Sequence, residues 1–216
     1  MASSLHSGCT PVIDGVVIPY AQGNMLLRND CMQVPILLGS NFDEGSGGGP
    51  GYFDRIINRL GISPDIYTDK EPDRTVMLAR DYWYARHLAW ARIRSERYSL
   101  PVWQYVFARH SGGRPAFHGA ELPYVFKTVY DFNPDIGNDE KAFTELISSY
   151  WINFIKNGDP NGEGLPVWNK KSLHSGHMRF DDRVTVEGDY MRDTDETVCP
   201  AVYKWMTRRA DGATDA

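Results

Sequence analysis

Cysteine is scarce in this chain. Cys9, Cys31 and Cys199 are the only three in 216 residues. They are widely spaced, odd in number and never arranged as Cys-x-x-Cys, so neither a metal knuckle nor a disulfide framework is indicated. Free thiols in a reduced compartment are expected, and one disulfide with a spare thiol is the other arrangement that the count allows. Long apolar runs are also lacking. Nothing approaches the ~20 residues of a membrane-spanning helix. Met1 to Gly8 is polar and does not show the basic-then-apolar order of a signal peptide. The compartment is left open: these features lean towards a soluble cytoplasmic protein, and a leader in a segment ahead of these residues would make it secreted. No run of Lys or Arg stands out, and 23 basic residues against 28 acidic ones leave a net charge of −5. Nucleic acid is therefore not an expected partner.

What is present suits a globular core. Hydrophobic residues make up 42% of the chain and charged residues 24%, and the length is within the range of one domain. Residues 1–216 are read as a single domain, with Ala210 to Ala216 a frayed tail. Val34 to Leu38 is a short apolar run that reads as a buried strand stopping at Gly39 and delivering the acidic pair Asp43-Glu44 into a loop. Pro11 to Pro19 carries Asp14-Gly15 between apolar residues, a two-residue hairpin signal. Gly45 to Gly51 is glycine-rich. No Lys-Ser/Thr follows it, which excludes a phosphate-binding P-loop, and a flexible connection is the reading adopted.

Further along, Tyr52 to Leu60 reads as a helix closed by Gly61. Asp73 to Arg97 reads as a long helix with a broad apolar face that includes Leu78, Ala79, Tyr82, Ala85 and Ala89. Its aromatics are taken as packing, and His87 as a packed or exposed ring rather than a ligand. Val102 to Ala108 reads as a strand. Asn138 to Asn157 is the clearest helix, with Phe143, Leu146, Ile147, Tyr150, Trp151 and Phe154 at helical spacing. Asn138 is the expected cap, and Gly158 the stop. Asp159-Pro160-Asn161-Gly162 then forces a turn. His174 and His177 form a His-x-x-His without further ligands and read as surface residues. Met178 to Val186 is expected to be a peripheral hairpin, and Pro200 to Arg209 a last short helix.

One histidine stands in a distinctive setting: Phe117-His118-Gly119-Ala120-Glu121-Leu122-Pro123-Tyr124-Val125-Phe126. Imidazole accepts protons near neutral pH, and a loop flanked by Gly and Pro can hold it at a cleft edge. A carboxylate leaving one strand and a histidine following the next fits the acid-then-base order of an α/β-hydrolase. Three stretches carry a resemblance to type-B carboxylesterases, the family of cholinesterases and para-nitrobenzyl-type esterases. Gly39 to Gly45 matches the Gly-[Ser/Thr]-Asn-x-Asp-Glu-Gly motif, which implies that Glu44 is the triad acid. His118 to Phe126 matches the motif of the base, which implies that His118 is the general base. Tyr150 to Gly162, followed by Leu165-Pro166-Val167-Trp168, matches a structural stretch. His110 is the rival base, outside the motif. Glu121 is a candidate support for the loop, or else a surface acid.

The resemblance implies the C-terminal portion of an α/β-hydrolase fold, with the N-terminal half absent. No Gly-x-Ser-x-Gly occurs, and in the family the nucleophile precedes the acid. The implied function is therefore the acid-base half of a Ser-Glu-His ester hydrolase, inactive alone, with no metal or organic cofactor. The implied partners are a small ester substrate and a separate N-terminal half that supplies the serine. A truncated gene is favoured over a split enzyme. The alternative function is a non-catalytic, cholinesterase-like partner-binding module, against which the retention of both Glu44 and His118 argues. Only the last two strands of the sheet are expected, with an open strand edge and exposed apolar surface.

Overall fold

The computed structural model describes residues 12–19, 25, 28–44, 51–70, 74–132, 135–172, 175–187 and 197–208. Cys9, His174, most of the glycine-rich run and the C-terminal tail lie outside the described residues. Four strands form one sheet in the order β1 (Ile36–Asn41), β2 (Val102–Phe107), β3 (His177–Phe180), β4 (Val184–Glu187). β1 and β3 both run parallel to β2, and β4 returns antiparallel beside β3. The sheet thus has two strands more than the sequence suggested. The segment read as a peripheral hairpin is indeed a hairpin, but its first strand joins the sheet. Met178 and Phe180 are fully buried. A four-residue strand paired to one more than seventy residues earlier leaves little local trace.

β2 is buried at all six positions. A strand covered on both faces reads as a continuous apolar run, and this one does. Trp103, Tyr105 and Phe107 face one core with Phe143, Ile147, Tyr150, Trp168 and Phe180. Val106 faces the other, with Leu78, Tyr82, Leu88, Val198 and Val202. The helices follow this division. α1 (Tyr52–Leu60), α2 (Arg74–Arg92) and α6 (Val198–Arg208) contribute to the second core. The short α3 (Leu122–Val125) and α4 (Val129–Phe132) and the long α5 (Asn138–Asn157) contribute to the first.

Several boundaries differ from the sequence reading for identifiable reasons. β1 does not stop at Gly39. It continues in register to Asn41, opposite Phe107. Gly39 is opposite Tyr105, and a Cβ there would collide with the Tyr105 ring and carbonyl. The glycine therefore makes room inside the ladder and does not end it. The long helix gives way to a π-turn at Ile93–Arg97. That turn buries Arg94, whose guanidinium donates to the carbonyls of Met32 (3.1 Å) and Val34 (3.0 Å) and so fixes the approach to β1. α5 is capped by Gly137, and Asn138 is already its first helical residue. Asp14-Gly15 forms no ladder. Asp14 Oδ1 instead accepts the N–H groups of Val16, Val17 and Ile18 at 2.8–2.9 Å, which closes a compact turn by an Asx bond.

His177, expected at the surface, is 1% exposed in β3, where its Nδ1 is 3.3 Å from the Tyr84 hydroxyl. His87 is packed, and burial, with Arg86 adding to it, pushes its pKa down to about 4. Cys31 and Cys199 carry free thiols. Among the described residues no helix is long and apolar enough to cross a membrane.

Candidate active site

Two loops leave neighbouring parallel strands at the same end of the sheet. The first follows β1 and carries Asp43 and Glu44. The second follows β2 and carries His110 and His118. Parallel pairing of β1 with β2 through Asn41–Phe107 brings both loops to one edge. That is where open α/β sheets assemble their sites.

Glu44 and His118 meet there. His118 Nδ1 is 2.7 Å from Glu44 Oε2. The acid is nearly buried, with 9% of its side chain exposed, whereas 85% of the histidine side chain is open to solvent. The other carboxylate oxygen, Oε1, accepts the backbone N–H of Asn41 at 3.0 Å. An ionised carboxylate has only acceptors, so with Glu44 ionised the shared proton is the imidazole Nδ1–H, and Nε2 keeps its lone pair. His110, the rival base, is not brought to Glu44. Its Nε2 is 2.8 Å from Asp43 Oδ2.

Burial does not hold the exposed imidazole in place. Its loop is clamped on both sides. Asp43 donates its N–H to the Ala116 carbonyl (3.0 Å) and accepts the Ala116 N–H on Oδ2 (2.8 Å). Asn41 Nδ2 donates to the Phe117 carbonyl at 2.7 Å and to Glu121 Oε2. Glu121 thus supports the loop by a hydrogen bond, one of the two roles open to it from sequence. Asn41 and Asp43 were not singled out as functional by the residues alone. Both lie in the Gly39 to Gly45 motif, Asn41 as the last residue of β1 and Asp43 beside the acid.

The surroundings are charged and aromatic. The Tyr105 phenol is driven well above its ordinary range by burial, and then by the negative charges of Glu121 and Glu44. Behind the loop is a cavity of about 420 Å³, lined in part by Phe107, Pro115, Phe117, Ala120 and Tyr124. Its polar wall is a network. Arg109 donates to Glu140 at 2.6 Å, and the Tyr124 hydroxyl donates to the same carboxylate. Burial raises the Glu140 pKa, but its bonds from Arg109, Tyr124 and Ser111 outweigh this and leave it below the usual range. Among the described residues no group of three or more His, Cys, Asp or Glu could hold a metal ion.

A mostly parallel sheet between helices, with an acid after one strand and a histidine after the next, defines the chain as part of an α/β-hydrolase fold. Solved structures agree. One of para-nitrobenzyl (PNB) esterase superposes with a TM-score of 0.71 over 88% of this chain and 43% of its own, at 23% identity. A profile of the Carboxylesterase family matches residues 63–198, more than half of the sequence. The chain belongs to the carboxylesterase family.

Among curated relatives, neuroligin-2 of Homo sapiens is 28% identical over 225 residues, covering 83% of this chain and 27% of that protein. Pyrethroid hydrolase Ces2a of Mus musculus is 27% identical over 216 residues, covering 81% and 38%. Para-nitrobenzyl esterase of Bacillus subtilis (strain 168) is 24% identical over 202 residues, covering 83% and 40%. The chain therefore spans well under half the length of each relative named.

Proposed function

We propose that this chain supplies the acid and the base of a serine carboxylic ester hydrolase, and that a separate segment supplies the nucleophile. The observation that carries this reading is the 2.7 Å bond between His118 Nδ1 and Glu44 Oε2, made by an imidazole whose side chain is otherwise 85% exposed. A proton acceptor oriented on one nitrogen and open on the other is the part of a triad that waits for a hydroxyl.

In the complete site, His118 Nε2 takes the proton of a serine hydroxyl as its oxygen attacks the ester carbonyl. The proton then passes to the departing alkoxide, which leaves as alcohol. His118 next draws a proton from water as that water attacks the acyl-enzyme, and returns it to the serine oxygen as the acyl–serine bond breaks and the acid departs. Glu44 holds the imidazole tautomer and stabilises the imidazolium, without accepting the proton itself. The serine, and the donors that stabilise the oxyanion, lie on the complementary segment. Those donors are often the largest single contribution to rate, so the isolated chain is inactive on this reading. The exposed rings of Phe117 and Phe126, with Leu122, give that segment an apolar surface on the stretch that carries His118. The substrate is a small ester.

The test is reconstitution. The chain is co-expressed with a segment that carries Gly-x-Ser-x-Gly, encoded beside it or taken from para-nitrobenzyl esterase, and assayed on a short-chain aryl ester. Activity that appears only with both parts, and is lost in His118→Ala, supports the reading. Equal activity with and without His118 overturns it.

A further inference from the structure

Asn41 is buried, with 2% of its surface exposed, and it makes three contacts that share one purpose. Its backbone N–H holds Glu44 Oε1. Its side-chain amide donates to the carbonyl of Phe117, the peptide that enters His118. The same amide nitrogen donates to Glu121, three residues beyond His118. Acid and base are thus both referenced to one residue at the end of β1. The residue type follows from the chemistry. Two acceptors need two protons on one short side chain, and a primary amide has two, whereas a hydroxyl has one. A buried donor bonded to a carboxylate is also worth more than a neutral pair.

We infer that Asn41 is a positioning residue that selects the Glu44-bonded tautomer of His118 by latching Glu121 and the Phe117 carbonyl. This inference rests on the proposed acid-base role of the pair. Its test needs no ester, so its failure is distinct from a failure of that role. Nothing about Asn41 touches the reacting atoms. It acts through the loop.

The experiment uses the whole 216-residue chain with ¹⁵N-labelled histidine. Imidazole ¹⁵N shifts at about pH 8, above the ordinary imidazole range, report the ratio of Nδ1–H to Nε2–H tautomers. In wild type the His118 ratio favours Nδ1–H. Asn41→Asp is nearly isosteric, but it sets a carboxylate against Glu121 and against the Phe117 carbonyl, and the ratio falls by about tenfold, the scale of one lost hydrogen bond to a charged group. The exchanged pair Asn41→Asp with Glu121→Gln returns a donor to the Glu121 side of the bridge but leaves the Phe117 carbonyl without one, so the ratio recovers in part, by about threefold over Asn41→Asp alone. His110, held by Asp43, keeps its signals throughout and serves as the internal control. If Asn41→Asp does not fold, as judged from the α5 amides, Glu121→Leu carries the test and lowers the ratio in the same direction. A His118 ratio that is unchanged in a folded Asn41→Asp or Glu121→Leu protein overturns the inference, as does an exchanged pair that folds and fails to recover.

Discussion

Asp43 and Glu44 are adjacent in sequence, yet each holds a different histidine: Asp43 Oδ2 is 2.8 Å from His110 Nε2, and Glu44 Oε2 is 2.7 Å from His118 Nδ1. Only the second pair leaves Nε2 free for a hydroxyl. In the reconstituted enzyme, Glu44→Gln is expected to lower kcat by about 10⁴-fold, because an amide no longer enforces the tautomer. His110→Gln is expected to change kcat less than tenfold. Parallel kinetics on the two variants check the assignment, and the reverse ranking would transfer the base to His110.

Gly39 predicts a packing penalty. A methyl group at that position meets the Tyr105 ring and carbonyl within the β1–β2 ladder, where neither strand can retreat freely. Gly39→Ala is expected to cost about 1–3 kcal/mol, the usual range for overfilling a packed site. Urea denaturation should show a lower midpoint with an unchanged slope.

Trp168 predicts the opposite defect, an unfilled space. Its ring lies 5.4 Å from those of Tyr150 and Phe180 and 6.3 Å from Tyr105. Its indole N–H donates to the Gln104 carbonyl at 3.1 Å, and its own carbonyl accepts from Trp103. Trp168→Ala is expected to destabilise by about 3–5 kcal/mol. The same urea titration measures it, and a loss below about 1 kcal/mol would contradict the packing described.

His87 predicts a pH dependence of stability. Burial, with a smaller contribution from Arg86, holds the folded ring near a pKa of about 4, against 6.5 for the free side chain. The unfolded chain therefore takes up a proton first as pH falls. The stabilising contribution is complete above pH 6.5 and disappears progressively down to about pH 4. One pKa unit is worth about 1.4 kcal/mol, so the full effect is at most about 3–4 kcal/mol, and less for a ring that keeps some solvent contact. His87→Leu should flatten the fall in Tm across that window relative to wild type.

Much of this was legible in the sequence because the signals were local. The apolar spacing of Phe143, Ile147 and Tyr150 marked the body of α5, and Gly158 marked its stop. The Gly39 to Gly45 and His118 to Phe126 motifs marked the two residues that meet. What escaped depended on distant partners. β3 is a strand because β2 lies beside it, and His177 is buried for the same reason. Gly39 looked like a terminator because the ring that occupies its empty side belongs to Tyr105, far along the chain. Asn41 was only one polar residue of the turn expected after Gly39, because its acceptors, Phe117 and Glu121, lie far along the chain. A hydrogen-bond donor has no sequence period, so its role becomes visible only once the loops have closed.

The Asn41 N–H also bears on how the sheet can grow. Ile36 and Phe42 donate their N–H groups towards β2, so by strand alternation the N–H groups of Leu37, Gly39 and Asn41 face the other side. A Glu44 oxygen already occupies the one on Asn41. Any strand that zips onto that side, whether a proper companion or a misfolded neighbour, therefore runs out of donors after Gly39. The carboxylate that bonds the imidazole is also a terminus for lateral assembly, one that keeps the Glu44–His118 corner from being sealed over.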